Sequence, residues 1–155
     1  MKFLRGFGSC LFALTLALAL PVAAADLPAF PGAEGFGANT PGGRGGRVLF
    51  VTTLDDAGPG SLRAACEADG PRIVIFRVAG TIALKRPITV TKPFLTIAGQ
   101  SAPGDGVCLR DATFGIATHD VVVRYLRSRL GDESRLEADC IDLLNGARDC
   151  ILDHC

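Results

Sequence analysis

The 155-residue sequence contains no tryptophan, and aromatic residues make up 6% of it. A sugar-binding platform built of stacked indoles is therefore excluded within this chain. There is no excess of either charge: 16 basic residues balance 16 acidic ones. Nucleic-acid binding needs a clustered basic face, so this balance argues against such a partner. Metal-site cysteine patterns are missing too, since no CxxC occurs and no Cys/His pair has zinc spacing. The glycines from Gly42 to Gly46 lack a following GK[ST], and the segment does not run strand, loop, helix, so it is not a phosphate-binding loop. Beyond residue 25 no apolar run is long enough to cross a bilayer, which takes about 20 residues.

One shorter apolar run is present, at the amino terminus. Lys2 and Arg5 precede an apolar stretch from Cys10 to Leu20, broken by Pro21 and followed by Val22-Ala23-Ala24-Ala25. A positive n-region, a short apolar segment and small residues at −3 and −1 are the signature of a secretory signal peptide. Residues 1–25 are read as that signal, cleaved after Ala25, and residues 26–155 as a protein of the extracellular or periplasmic space. No membrane association is expected after cleavage. Removal of the signal takes two basic residues and no acidic one, leaving the remainder slightly acidic. It also removes Cys10. Cys66, Cys108, Cys140, Cys150 and Cys155 stay behind, an odd number that fits buried or loosely paired thiols better than a disulfide framework. The run from Asp149 to Cys155 reads as the middle of a strand, so the chain is expected to be a fragment that continues beyond its carboxyl end.

The rest of the sequence divides into short segments. A strand at 47–52 follows the glycine-rich opening; Ser61 then caps a predicted helix over 62–69, stopped by Gly70-Pro71. From residue 73 the pattern is of short Val-, Ile-, Leu- and Thr-rich strands at 73–78, 81–84, 88–90, 95–98, 107–110, 114–117, 121–128, 140–144 and 150–154, each bounded by Gly, Pro, Asp or Asn. Asn145-Gly146 is the single hairpin-type dipeptide between them, and helical crossovers are absent. Such strands build neither a sandwich nor a βαβ sheet, but they do build a solenoid. Phe94, Val121 and Cys150 open similar segments 27 and 29 residues apart, a period suited to three short strands per coil. The predicted fold is all-β, a parallel β-helix, with the short helix capping its N-terminal end against edge pairing.

Six ordered strings now carry a family resemblance: AFPGAEGFG at 29–37 with GGRGG at 42–46; VTTLDDAGPGSLR at 51–63; PRIVIFRVAGTI at 71–82; LTIAGQSAPGDG at 95–106; VVVRYLRSR at 121–129; and CILDH at 150–154. Together they resemble the N-terminal part of bacterial pectate lyases of polysaccharide lyase family one. The resemblance implies a right-handed parallel β-helix, probing an acidic plant-type polysaccharide (polygalacturonate or pectin) as a monomer, and Ca²⁺-dependent cleavage by β-elimination. The C5 proton of a uronate is weakly acidic because its own carboxylate is negative; bridging Ca²⁺ offsets that charge and favours the enolate-like intermediate. The family's base is an arginine, expected beyond Cys155, so no catalytic residue is assigned within the chain.

Calcium takes hard oxygen ligands. The most acidic stretch is 131–140, where Glu137 and Asp139 stand two apart and would share one side of an extended chain. They occupy the place where the resemblance puts the first pair of calcium carboxylates, although the family has aspartate where Glu137 stands. Asp132 and Asp142 are fallback ligands. Asp153-His154 is read as a structural motif near the site that supports the neighbouring rung. His119 is read as a turn residue. Arg124, Arg127 and Arg129 are read as lying along one strand, facing either a polyanion or solvent. Two rival readings are a polygalacturonase-type hydrolase on the same fold, for which Asp55-Asp56 offers a DD pair outside the coil, and a non-catalytic β-helix that binds carbohydrate or acts as an adhesin. The chain by itself is expected to fold poorly and to be inactive.

Overall fold

A computed structural model describes residues 27–155; the proposed signal segment, with Cys10, lies outside the described residues. Eleven strands and one α-helix follow one another: β1 (Arg47–Val51), α1 (Leu62–Glu67), β2 (Arg72–Phe76), β3 (Gly80–Ala83), β4 (Ile88–Val90), β5 (Leu95–Ala98), β6 (Val107–Arg110), β7 (Phe114–Ile116), β8 (His119–Arg124), β9 (Leu126–Arg129), β10 (Ile141–Leu143) and β11 (Arg148–Asp153). They assort into three sheets, ordered β1-β2-β5-β8-β11, β3-β6-β9 and β4-β7-β10. Every pairing is parallel. Each coil therefore lays one strand on each of three faces before the next coil stacks above it. This is a parallel β-helix, as the strand pattern predicted, and parallel strands joined by crossovers within one sheet take the right-handed sense.

Register explains the inward selection of residues. Val74 pairs with Ile97 and Ile97 with Val123, and all three are fully buried. Ile88 pairs with Phe114 and Phe114 with Ile141, on the second face. Ile82 pairs with Leu109 and Leu109 with Ser128, on the third; buried Ser128 is satisfied by donating to the carbonyl of Cys140 at 2.9 Å. Side chains alternate along a strand, so each coil sends every second residue inward onto the one below. Each buried Leu, Ile or Phe contributes roughly 1.5–3 kcal/mol.

The coils do not turn where the sequence pattern suggested. Leu95, not Phe94, stands under Val121, and Val121 under Cys150. Phe94, Asp120 and Asp149 occupy equivalent corner positions just before these residues, each with positive φ (59°, 55° and 50°). The predicted strand over 121–128 is two strands, because Tyr125 (φ 54°) turns the chain from β8 to β9 in a single left-handed residue. Helix α1 ends at Glu67, shorter than predicted.

Two buried arginines anchor the N-terminal end. Arg72 spends its guanidinium on five carbonyls, those of Ala65 (2.9 Å) and Cys66 (2.6 Å) at the end of α1, and those of Gly70, Lys92 and Pro93. The carbonyls at a helix end lack intrahelical partners, and Arg72 supplies them. Arg63 donates to the carbonyls of Asp56, Arg86 and Pro87 and pairs with the Asp56 carboxylate at 2.5 Å. Ser61 caps α1 by accepting from the Ala64 amide at 3.2 Å. Among the described residues no buried side-chain nitrogen or oxygen lacks a partner.

Candidate functional site

The acidic stretch 131–140 joins β9 to β10. Gly131 (φ 77°) starts a 3-10 turn over Asp132–Ser134, and Arg135 (φ 50°) ends it in the left-handed region. The turn closes on itself: Ser134 Oγ donates to the Gly131 carbonyl at 2.8 Å and accepts from the Leu136 amide at 3.3 Å. Glu137 and Asp139 follow it in irregular chain, both exposed. They are not on a strand, as the alternation argument assumed, because β10 starts only at Ile141. What fixes their backbone is the coil below. Thr113 Oγ1 donates to the Asp139 carbonyl at 2.8 Å, and the Phe114 amide donates to the Cys140 carbonyl at 3.0 Å.

Asp142 belongs to β10 between the inward partners Ile141 and Leu143, which places it on the outer face, in register with Gly115 and, below that, Thr89. Gly115 was not singled out from the sequence. A glycine inside a strand often marks a close approach, and here a Cβ would come within 3.1 Å of Leu144 Cδ1. The Leu144 side chain thus covers Gly115 beneath Asp142. Asp132, the other fallback ligand, lies in the 3-10 turn. Among the described residues no group of three or more His, Cys, Asp or Glu side chains converges into a metal site. Glu137 and Asp139 are of the chemistry calcium prefers, yet two carboxylates fall short of the six to eight oxygens it takes.

Asp153 ends β11, away from the acidic loop between β9 and β10. It is in register with Arg124 one coil below, and Arg124 Nε donates to it at 2.6 Å. Its other oxygen meets His154 Nδ1 at 2.8 Å. Burial on its own raises the Asp153 pKa, but the Arg124 and His154 hydrogen bonds and charges outweigh it and hold the carboxyl below the ordinary range. His154 stacks on Tyr125 with ring centroids 4.7 Å apart, and the Arg124 guanidinium lies 3.7 Å over the Phe30 ring. The Asp153–Arg124 and His154–Tyr125 contacts tie successive coils together, while Phe30 lays the N-terminal segment against Arg124.

The arginines do not form one row. Arg124 is in β8, whereas Arg127 and Arg129 are in β9 on a different face. Arg127 donates to the Asp105 carbonyl and Arg129 to the Ser128 carbonyl. His119 is the first residue of β8 rather than a turn residue; its ring meets Phe94 edge-on at 5.5 Å and its Nδ1 lies 2.7 Å from Asp120. The Asp55-Asp56 pair is not free for acid–base chemistry on both members, since Asp56 is the partner of buried Arg63.

Similarity to known proteins bears on this geometry. Over 129 residues the chain is 46% identical to a probable pectate lyase C of Aspergillus fumigatus, an alignment covering 83% of the chain and 30% of that protein. A probable pectate lyase C of Emericella nidulans is 47% identical over 130 residues, with the same shares covered. The chain is a homologue of pectate lyases. A plant relative, probable pectate lyase 8 of Arabidopsis thaliana, is 32% identical over 140 residues, covering 77% of the chain and 33% of that protein. No family model matches the chain. This pectate lyase homologue spans about 30% of the length of the fungal relatives it matches. The relatives named are fungal and plant, so the homology is to pectate lyases at large and not to bacterial ones in particular.

In the pectate lyase homologue, then, the acidic loop and the Asp153-His154 motif occupy the same last coil at separate corners. The first presents exposed oxygen donors; the second is consumed by contacts to β8. The five cysteines among the described residues are all unpaired. Burial pushes the Cys66 thiol up to about 12. No helix among the described residues is long and apolar enough to cross a membrane.

Proposed function

We propose that this chain is the N-terminal part of a secreted, calcium-dependent pectate lyase that cleaves polygalacturonate by β-elimination. The observation that carries the reading is 46% identity over 129 residues to a protein named as a probable pectate lyase, on a chain coiled as a parallel β-helix. Residues 1–25 are its export signal and 26–155 the first part of the β-helix domain. The bacterial enzymes that the six strings resemble are the finer assignment within the family. Extracellular action suits the substrate, a polymer too large to enter a cell.

Within that reading Glu137 and Asp139 contribute carboxylate oxygens to calcium, with Asp142 and Asp132 as reserves. Calcium there would offset the charge of the substrate carboxylate and so acidify the adjacent C5–H. The role of this chain's own residues is to hold oxygen donors at a fixed height on the coil, through the Thr113 and Phe114 contacts to the loop's C-terminal end. The base arginine and the remaining ligands belong to sequence beyond Cys155 in this reading, and Asp153-His154 supports the coil.

The test is ultraviolet absorbance of unsaturated product on polygalacturonate, using the full-length protein that contains this chain. The expected result is calcium-dependent absorbance, abolished by a chelator and reduced at least ~10-fold by Asp139→Ala. New reducing ends without unsaturated product would favour hydrolysis, and binding without turnover a non-catalytic β-helix; either outcome overturns the proposal.

A further inference from the structure

The glycine-rich segment before β1 does not cradle a ligand; it climbs down the outside of the coil. Gly37 lies against Cys150 of β11 so closely that a Cβ would overlap the Cys150 carbonyl. Thr40 Oγ1 donates to Asp120, at the start of β8, at 3.0 Å. The Gly43 amide donates to Thr96 Oγ1 of β5 at 2.9 Å, and a Cβ on Gly43 would overlap the Arg72 carbonyl of β2. A Cβ on Gly46 would overlap Pro71, next to β2. The contacting residues are thus 37, 40, 42, 43 and 46: Gly42 lies against Thr96 and Val122, Gly43 and Gly46 both reach the chain at β2, and the segment meets the coils in order from β11 to β2. Between them Pro41 and Arg44 are exposed.

The local winding produces this match. Turn bonds run from the Thr40 amide to the Gly37 carbonyl, from Arg44 to Pro41 and from Gly46 to Gly43, each at 3.0 Å. These are isolated tight turns, with Gly42 and Gly45 at positive φ (50° and 76°), so the segment advances more slowly than an extended strand. Stacked strands are about 4.8 Å apart. An extended chain would overrun a coil in two residues; the turns let residues 37 to 46 follow the coils from β11 to β2.

We propose that residues 37–46 are a brace that couples the coils to one another, so that the coil carrying Glu137 and Asp139 is held from the N-terminal segment as well as from the coil beneath it. A solenoid without such a brace has only nearest-neighbour interfaces. With the brace, loosening the strap at one coil propagates to coils it touches elsewhere. This inference stands on the strap contacts alone and does not depend on the lyase reading.

Hydrogen exchange read by mass spectrometry on the full-length protein tests it. Gly43→Val disrupts the strap where it meets β2 and β5. The expected result is amide protection lowered at least ~10-fold in β8 and β11, which Gly43 does not contact through its Cα, as well as in β2 and β5. Thr40→Ala removes the hydrogen bonds to Asp120 and from the Gly42 amide and carries the test if Gly43→Val does not fold by far-ultraviolet circular dichroism. It is expected to lower protection in β11 and β2 alike, with Thr40→Ser restoring it. Protection lost only in the strands next to the substituted residue, or unchanged throughout in Thr40→Ala, overturns the brace.

Discussion

At the scale of single residues, the chain places its charge where it can be fully spent. Arg72 is fully buried, yet each of its guanidinium nitrogens donates to a carbonyl, and two of those carbonyls end α1. Replacing Arg72 by alanine strands several buried acceptors at 1–3 kcal/mol each. The expected loss is on the order of 3 kcal/mol or more, read by urea unfolding. Asp56→Ala costs less, about 1–3 kcal/mol, because Arg63 keeps three carbonyl acceptors when the carboxylate is removed. Asp153 gives a pH signature. Its folded pKa is depressed, so its contribution is fully present above the unfolded value near 3.9 and is lost as pH falls through the lower folded one. Asp153→Asn is therefore expected to flatten the acid limb of a stability curve below about pH 4. Asp56, also held low through Arg63 despite its burial, keeps part of that slope. The thiols separate in the same way. Cys66 is buried with its pKa raised to about 12, whereas Cys155 is exposed. Alkylation of the native protein at pH 8 is expected to label Cys155 and spare Cys66, by mass spectrometry.

At the scale of elements, the corners decide the fold as much as the strands do. Asp149 stands at φ 50°, in the region where a side chain costs about 1–2 kcal/mol. Asp tolerates that region better than most residues, and a β-branched residue tolerates it worst. Asp149→Val is expected to destabilise by about 1–2 kcal/mol, while Asp149→Gly stays within about 1 kcal/mol of the parent, both read as thermal midpoints. These corners also explain what the sequence made legible. The short strands, their boundaries at Gly, Pro and Asp, and the Ser61 cap were visible because they follow local chemistry. The break at Tyr125 was not: tyrosine carries no turn signal, and its left-handed φ is imposed by the coils on either side. The same holds for Phe94, whose apolar ring reads as the first residue of a strand but sits at a corner against His119. The glycines of the strap were visible as a cluster, but the surfaces they approach lie far along the chain, so their close contacts acquired meaning only in three dimensions.

At the scale of the whole molecule, the two ends of the coil differ. Helix α1 packs against β1 and β4 at one end. At the other, β10 and β11 are the outermost strands of their sheets, and Leu143 and Leu152 are 52% and 37% exposed. The equivalent inward residues one coil lower, Ile116 and Val123, are fully buried. The candidate site inherits this asymmetry. Residue chemistry singles out Glu137 and Asp139 as oxygen donors, but a calcium site is a convergence of several chain segments and the described residues bring together too few. Thr113, which fixes Asp139 through its carbonyl, gave no sequence signal, because its partner is 26 positions away. The 155-residue chain alone is accordingly expected to release no unsaturated product from polygalacturonate, with or without calcium. It is also expected to self-associate through the last coil, since an exposed apolar strand edge is a template for pairing. Leu152→Lys places a charge on that edge and is expected to raise the soluble fraction and shift light-scattering mass toward the monomer. An unchanged oligomer would assign the association to another surface and leave the β10–β11 edge inert.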